Sequence, residues 1–277
     1  MLELLNATGK LPAWFTSSPR VLAFRDPPIL EALRQLRPRL WRSGSAAIPE
    51  AFLSTRRLRI VAVDGAGSER YLLPLVDLAN HHPLAPPFNL SAGHLRLLPS
   101  PAVPSAQLCV DYGGSRDGLD IALHYAYVDP DVRWAFSAPL RFELPGLGPV
   151  LIQGRPLESS RLGDPPLLSH GPVGEELEGT VVSHVCFAPA HAAGLRDSLR
   201  RELGRYGDNR GLGFTLEQVA RLASALIEAV AARNVALLEA VAGLCARTSV
   251  RGEAPGVLAS AALNQVEVIR SAQAAAL

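Results

Sequence analysis

Residues 109 to 130, CVDYGGSRDGLDIALHYAYVDP, decide how this chain is read. The run AQLCVDYG, 106 to 113, is rich in β-prone residues and predicts a strand that ends on Gly113-Gly114. The following GLDIALHYAYVD, 118 to 129, predicts a segment that begins as a helical turn. Three of the chain's five tyrosines, Tyr112, Tyr125 and Tyr127, fall inside this stretch. Such rings can pack in a core with their hydroxyls at the surface. They can equally line a pocket in which a phenol donates or accepts a hydrogen bond at a reacting centre. Residue types alone leave both open.

A second unusual stretch lies upstream. Residues 72 to 89, LLPLVDLANHHPLAPPFN, carry a strand-like apolar run through Asp77 that stops on Asn80-His81-His82-Pro83. The expectation is an Asn-His step delivered into a proline-rich loop. Adjacent histidines invite a metal, but metal sites need three or four converging ligands, and no spacing in the chain supplies the others. No metal is expected. The alternative is a loop whose Asn and His satisfy buried backbone groups.

Composition bounds the rest. The chain has 277 residues, 48% of them hydrophobic, enough for a sizeable core and comfortable for two domains. A formal net charge of +1 gives no electrostatic case for nucleic acid or an anionic membrane. Lys10 stands alone among many arginines, which reads as codon bias. Cys109, Cys186 and Cys245 are far apart and odd in number, which argues against a disulfide framework and fits a cytoplasmic protein. The opening MLELLNATGKLPAWF is too weakly apolar for a signal peptide. No uninterrupted apolar stretch of about 18 residues occurs, so no membrane span is expected.

Along the chain, DPPILEALRQLRPRLW predicts a short amphipathic helix with Pro27 and Pro28 in its first turn and Pro38 limiting its end. Residues 43 to 60 predict a second short helix leading to a strand. Two β-prone runs flank Asp64-Gly65-Ala66-Gly67, a hairpin signal; as a nucleotide loop the GxG is weak, because no helix opens on it. Arg56, Arg57 and Arg59 read as a solvated edge, with one arginine turned towards an anion. No GxSxG elbow is present. In the last third, PAHAAGLRDSLRRELGRYG predicts a helix stopped by Gly207 and the turn GDNRG. Thr215 with Gln218 forms a capping box, and Leu222, Leu226, Val230, Val235, Leu238 and Val241 recur at helical spacing. The expected fold class is α+β. A β-rich domain would span residues 1 to 140 with a short helical insert, strands or a linker 141 to 175, and an all-α domain 176 to 277.

Together, LLPLVDLANHH and the later VDYGGSRDGLDIALHYAYVDP resemble the SET-domain methyltransferases, and within them the Rubisco large-subunit lysine methyltransferase class. Asp77, Asn80 and His81 match that class's D-x-x-N-H motif. Tyr112 and Tyr125, thirteen residues apart, match its tyrosine pair, and YAYVDP stands where the class has a Tyr-Gly-Phe run. AFLSTRRLRI resembles its Ala…Ser-Arg segment. The likeness covers residues 27 to 250. It departs at Gly118, where the class often has Asn, and at Ala126, where it has Gly. The class also opens with a Gly-x-Gly segment that forms much of the cofactor pocket, and residues 1 to 26 carry no such motif.

The resemblance implies a partial SET-like domain followed by a helical substrate-binding domain. It implies S-adenosylmethionine as cofactor, held by Asn80, His81, Tyr112 and Arg56. Tyr125 would be the catalytic tyrosine, with Tyr127 and Asp77 on the substrate side. The substrate would be a protein lysine, a peptide or a small molecule such as an amine. A second copy of the chain, or residues 1 to 26, would have to rebuild the missing part of the cradle. Two further readings stand beside it: a SET-like enzyme that has lost methyl transfer and acts on a small biosynthetic intermediate, and a non-catalytic binding module.

Overall fold

A computed structural model describes residues 18–41, 57–61, 68–72, 80–81, 85–86, 88–91, 94–98, 109–110, 116–154, 164–175 and 177–276. The expected helix over residues 43 to 56, Asp77, Arg56, Tyr112 and the hairpin turn 62 to 67 lie outside them. The described residues have mixed α and β content, with small sheets and a helical C-terminal region.

Helix α1 (Pro19–Arg25) is capped by Ser18, and α2 (Pro27–Leu36) by Asp26, whose carboxylate accepts from Ile29 N at 3.3 Å. Pro27 and Pro28 enter α2 where helical N–H groups lack partners in any case. Its apolar stripe Ile29, Leu33 and Leu36 is buried. Arg37 leaves the helical region ahead of Pro38, as residues before proline do, and a 3₁₀ turn follows over Pro38–Trp41.

Strands β1 (Arg57–Val61) and β2 (Ser68–Leu72) form the expected antiparallel hairpin, with Arg57 opposite Leu72. Strand β3 (Asn80–His81) comes next, then a short antiparallel pair, β4 (Asn89–Ser91) and β5 (His94–Arg96). Strand β6 (Cys109–Val110) precedes helix α3 (Gly118–Tyr125) and strand β7 (Ala135–Phe136).

The largest sheet comes from the middle of the chain. Strands β8 (Leu140–Leu144) and β9 (Gly148–Ile152) form a hairpin, with positive φ at Gly146 in its turn and at Gly148 where β9 begins. Strands β10 (Leu168–Pro172) and β11 (Glu178–Val182) complete it in the order β10-β11-β9-β8, with β11 parallel to β9. The sheet thus takes β8, β9 and β10 from within residues 140 to 175 and β11 from beyond them. Gly179 makes the parallel register possible: a Cβ there would stand 2.3 Å from the Pro149 carbonyl oxygen. Strand β12 (Cys186–Phe187) pairs antiparallel with β7.

Three long helices end the chain: α4 (Ala192–Arg210), α5 (Leu216–Arg247) and α6 (Ala254–Ala276). The stop expected at Gly207 is a correction. Helix α4 passes through Gly207 and ends at Gly211, which takes the left-handed conformation. Gly207 serves packing instead, because a Cβ there would meet the Phe214 ring at 2.6 Å. The Thr215–Gln218 capping box forms reciprocally, at 3.2 and 2.7 Å. By length and composition α5 could cross a membrane, which the count of uninterrupted apolar residues overlooked. Here its buried residues, among them Leu222, Leu226, Val230 and Val241, pack with α2, α4 and α6, an arrangement compatible with a soluble protein. One core cluster joins these helices to α2, α3 and the sheet.

Candidate functional site

The parallel pairing of β3 with β6 brings the two unusual stretches together. Asn80 stands opposite Cys109 and His81 opposite Val110. The Asn-His step was expected in a loop; it is a two-residue strand instead. Its partner strand belongs to the segment that continues through Tyr112, and the chain reaches α3 a few residues later. Tyr112, Arg56 and Asp77, and the side chains of Asn80 and His81, lie outside the described residues.

Helix α3 carries the rest. Asp117 caps it, accepting from Asp120 N at 3.0 Å through Oδ1. Its other oxygen accepts from Phe136 N at 3.0 Å and from Arg37 Nη2 at 2.5 Å. Arg37 Nε donates to Asp120 Oδ1 at 2.9 Å. All three side chains are buried. Burial alone would drag the Arg37 guanidinium down; the Asp117 and Asp120 carboxylates more than offset it and hold its pKa above the ordinary value.

His124 and Tyr125 form the last turn of α3. His124 Nδ1 lies 2.8 Å from the Asp120 carbonyl oxygen. A carbonyl only accepts, so Nδ1 carries the proton and donates, and Nε2 keeps its lone pair. Burial first, then the charges of Arg116 and Arg20, push the imidazole down to about 3, so it is neutral at physiological pH. The Tyr125 ring is half-buried, 5.9 Å from the His124 ring between centroids, with the Arg116 guanidinium 5.7 Å from its own centroid. Tyr127 is half-buried two residues further on.

The two positions at which the chain departs from the resemblance, Ala126 and Gly118, sit in defined local geometry. Ala126 closes α3 at φ 61° and ψ 34°, the only non-glycine at positive φ among the described residues. Glycine takes that conformation without steric cost, so Ala126 holds a glycine's geometry under strain. At Gly118 a Cβ would lie 3.3 Å from Gln265 Nε2, which donates to the Trp134 carbonyl from α6. An Asn side chain there would compete with Gln265 for the same space.

S-adenosylmethionine carries a sulfonium, which is served by uncharged oxygens and a ring face. The phenol of Tyr125 and the neutral imidazole beside it fit that in kind. The Arg116 guanidinium takes one face of the ring, so a cationic ligand would have to meet the hydroxyl edge or the other face. No group of three His, Cys, Asp or Glu among the described residues is placed to hold a metal.

A separate concavity of about 120 Å³ opens between Pro165, Cys186 and His191 at the start of α4. It is smaller than the roughly 300 Å³ at which drug-sized ligand pockets begin. The Cys186 thiol is pushed up to about 12, chiefly by burial and then by the Asp117 charge, so it is no nucleophile at neutral pH. All three cysteines are free.

Sequence reasoning missed Arg37, Asp117, Asp120 and His124. The spacing Asp117-x-x-Asp120 ahead of an apolar run is a helix-start signal that could have found two of them. Nothing local marks Arg37, whose partners lie 80 and 83 residues away. Compared with known proteins, the chain matches no protein-family model and no curated protein.

Proposed function

We propose that this chain is a SET-like methyltransferase using S-adenosylmethionine on an amine: a protein lysine, a peptide or a small molecule. The supporting observation is the β3–β6 register, which sets Asn80 and His81 beside the strand from which the chain runs on through Tyr112 in sequence. Asn80, His81, Tyr112 and Arg56 would hold the cofactor, which when bound supplies an electrophilic methyl group. The Tyr125 hydroxyl oxygen would accept from the amine N–H and so leave the lone pair free and in line, where positioning can supply much of the rate. Tyr127 and Asp77 would border the amine's path. The neutral His124 adds no positive charge beside the phenol. The packed body of α3, with Leu119, Ile121, Ala122 and Leu123 fully buried, keeps water from that side.

Two measurements test it. Calorimetry with S-adenosylmethionine should show binding; no heat at about 1 mM ligand, a free energy weaker than roughly −4 kcal/mol, removes the reading. Transfer of a labelled methyl group to amine or peptide substrates should fall about 10²-fold in Tyr125→Phe, as when one preorganised hydrogen-bonding group is lost. Full activity in that variant removes Tyr125 from the mechanism.

A further inference from the structure

Helix α3 has eight residues, too few to be stable by itself in water. The place of its last residue, Tyr125, is therefore set by what grips the helix. Among the described residues, a side chain from elsewhere in the chain grips it at the first turn. Arg37, delivered by the break between α2 and the 3₁₀ turn, binds the cap residue Asp117 with one nitrogen and the first-turn residue Asp120 with another. Its third nitrogen, Nη1, donates to its own neighbour's carbonyl, Leu36 O, at 2.9 Å, which fixes the fork against α2. Asp117 also accepts from Phe136 N, so the same carboxylate ties α3 to β7. Asp120 passes the hold along the helix, since its carbonyl accepts from His124 one residue before Tyr125.

We infer that Arg37, Asp117 and Asp120 are positioning residues for Tyr125: a buried guanidinium clamped on two carboxylates aims the phenol by fixing the helix that ends on it. A planar fork with two fixed directions can set an orientation; a lysine ammonium, a point charge on a flexible stem, holds position without angle. A purely stabilising ion cluster would be replaceable by neutral groups of similar volume with no effect on the ring. The kinetic consequence rests on the methyl-transfer reading, while the placement of Tyr125 can be measured without it.

The test uses full-length protein labelled with 3-fluorotyrosine, the Tyr125 fluorine resonance being assigned by its loss in Tyr125→Phe. Two variants are compared: Arg37→Lys, and the triple variant R37M/D117N/D120N. The triple variant removes all three charges together, so no carboxylate is left buried alone, and an asparagine at the cap position is still a competent helix cap. Both are expected to keep the wild-type circular dichroism while the Tyr125 resonance moves beyond its linewidth or splits. For methyl transfer, kcat should fall about tenfold or more with the amine KM within about twofold, the signature of lost orientation. An unmoved Tyr125 resonance in the folded triple variant overturns the inference. If the triple variant fails to fold, Arg37→Lys decides by the same signal. A resonance that moves in a protein that transfers no methyl group upholds the positioning role and removes the proposed function instead.

Discussion

Acidification should weaken this fold through His124, by an amount that can be worked out. The folded protein holds this imidazole neutral, with its pKa lowered from 6.5 to about 3 chiefly by burial. The unfolded chain takes up a proton below pH 6.5 that the folded chain refuses, so stability is lost as pH falls from about 6.5 and the loss levels off near 3. With those two values the loss relative to pH 8 is about 1 kcal/mol at pH 5.5 and about 3 kcal/mol at pH 4.5. His184, also lowered by burial, acts in the same direction, so the wild-type slope alone is not specific. The comparison variant is His124→Asn, whose amide can still donate to the Asp120 carbonyl but does not titrate. Urea unfolding at pH 8, 5.5 and 4.5 should give a wild-type loss larger than that of the variant by about 3 kcal/mol at the lowest pH. Equal losses in the two proteins would refute the argument. So would a His124 titration midpoint above about 5.5 by nuclear magnetic resonance, since folded and unfolded chains would then take up the proton at nearly the same pH.

Further outcomes follow from single contacts. Ala126→Gly relieves a left-handed alanine and should raise stability by about 0.5–1 kcal/mol, read as a higher urea midpoint at unchanged slope. Asn234, buried in α5, accepts from Ala138 N and donates to Val230 O, both at 2.7 Å. Asn234→Leu leaves the Ala138 amide unsatisfied and should cost about 1–3 kcal/mol in the same assay, together with faster hydrogen exchange at that amide.

Signals confined to a few residues were legible before any coordinates. Pro27, Pro28 and Pro38 bracket α2 because a proline's fixed φ and missing N–H act within one turn. The β1–β2 hairpin followed from two β-prone runs around a glycine turn. Thr215 and Gln218 cap α5 because their partners are three residues apart. That the Asn-His stretch and the tyrosine stretch belong together was implied by the resemblance to SET domains; residue types alone left it open.

Where contacts span the chain, the sequence carries no such signal. Helix α4 passes through Gly207 because the Phe214 ring needs the missing Cβ, so a residue that reads locally as a stop serves as a packing site. Asn80 and His81 form a strand because β6 lies alongside to pair with them, not because their own propensity asks for one. Arg37 looks like an ordinary solvated arginine until Asp117 and Asp120 arrive from 80 and 83 residues away. His124 stays neutral well into the acid range because the packed fold excludes water from it and sets Arg116 and Arg20 nearby. The sequence by itself determined what each turn of chain can do. Tertiary structure decided which charges are buried and which rings meet, because burial and Coulomb energy depend on distance in space rather than on position along the chain.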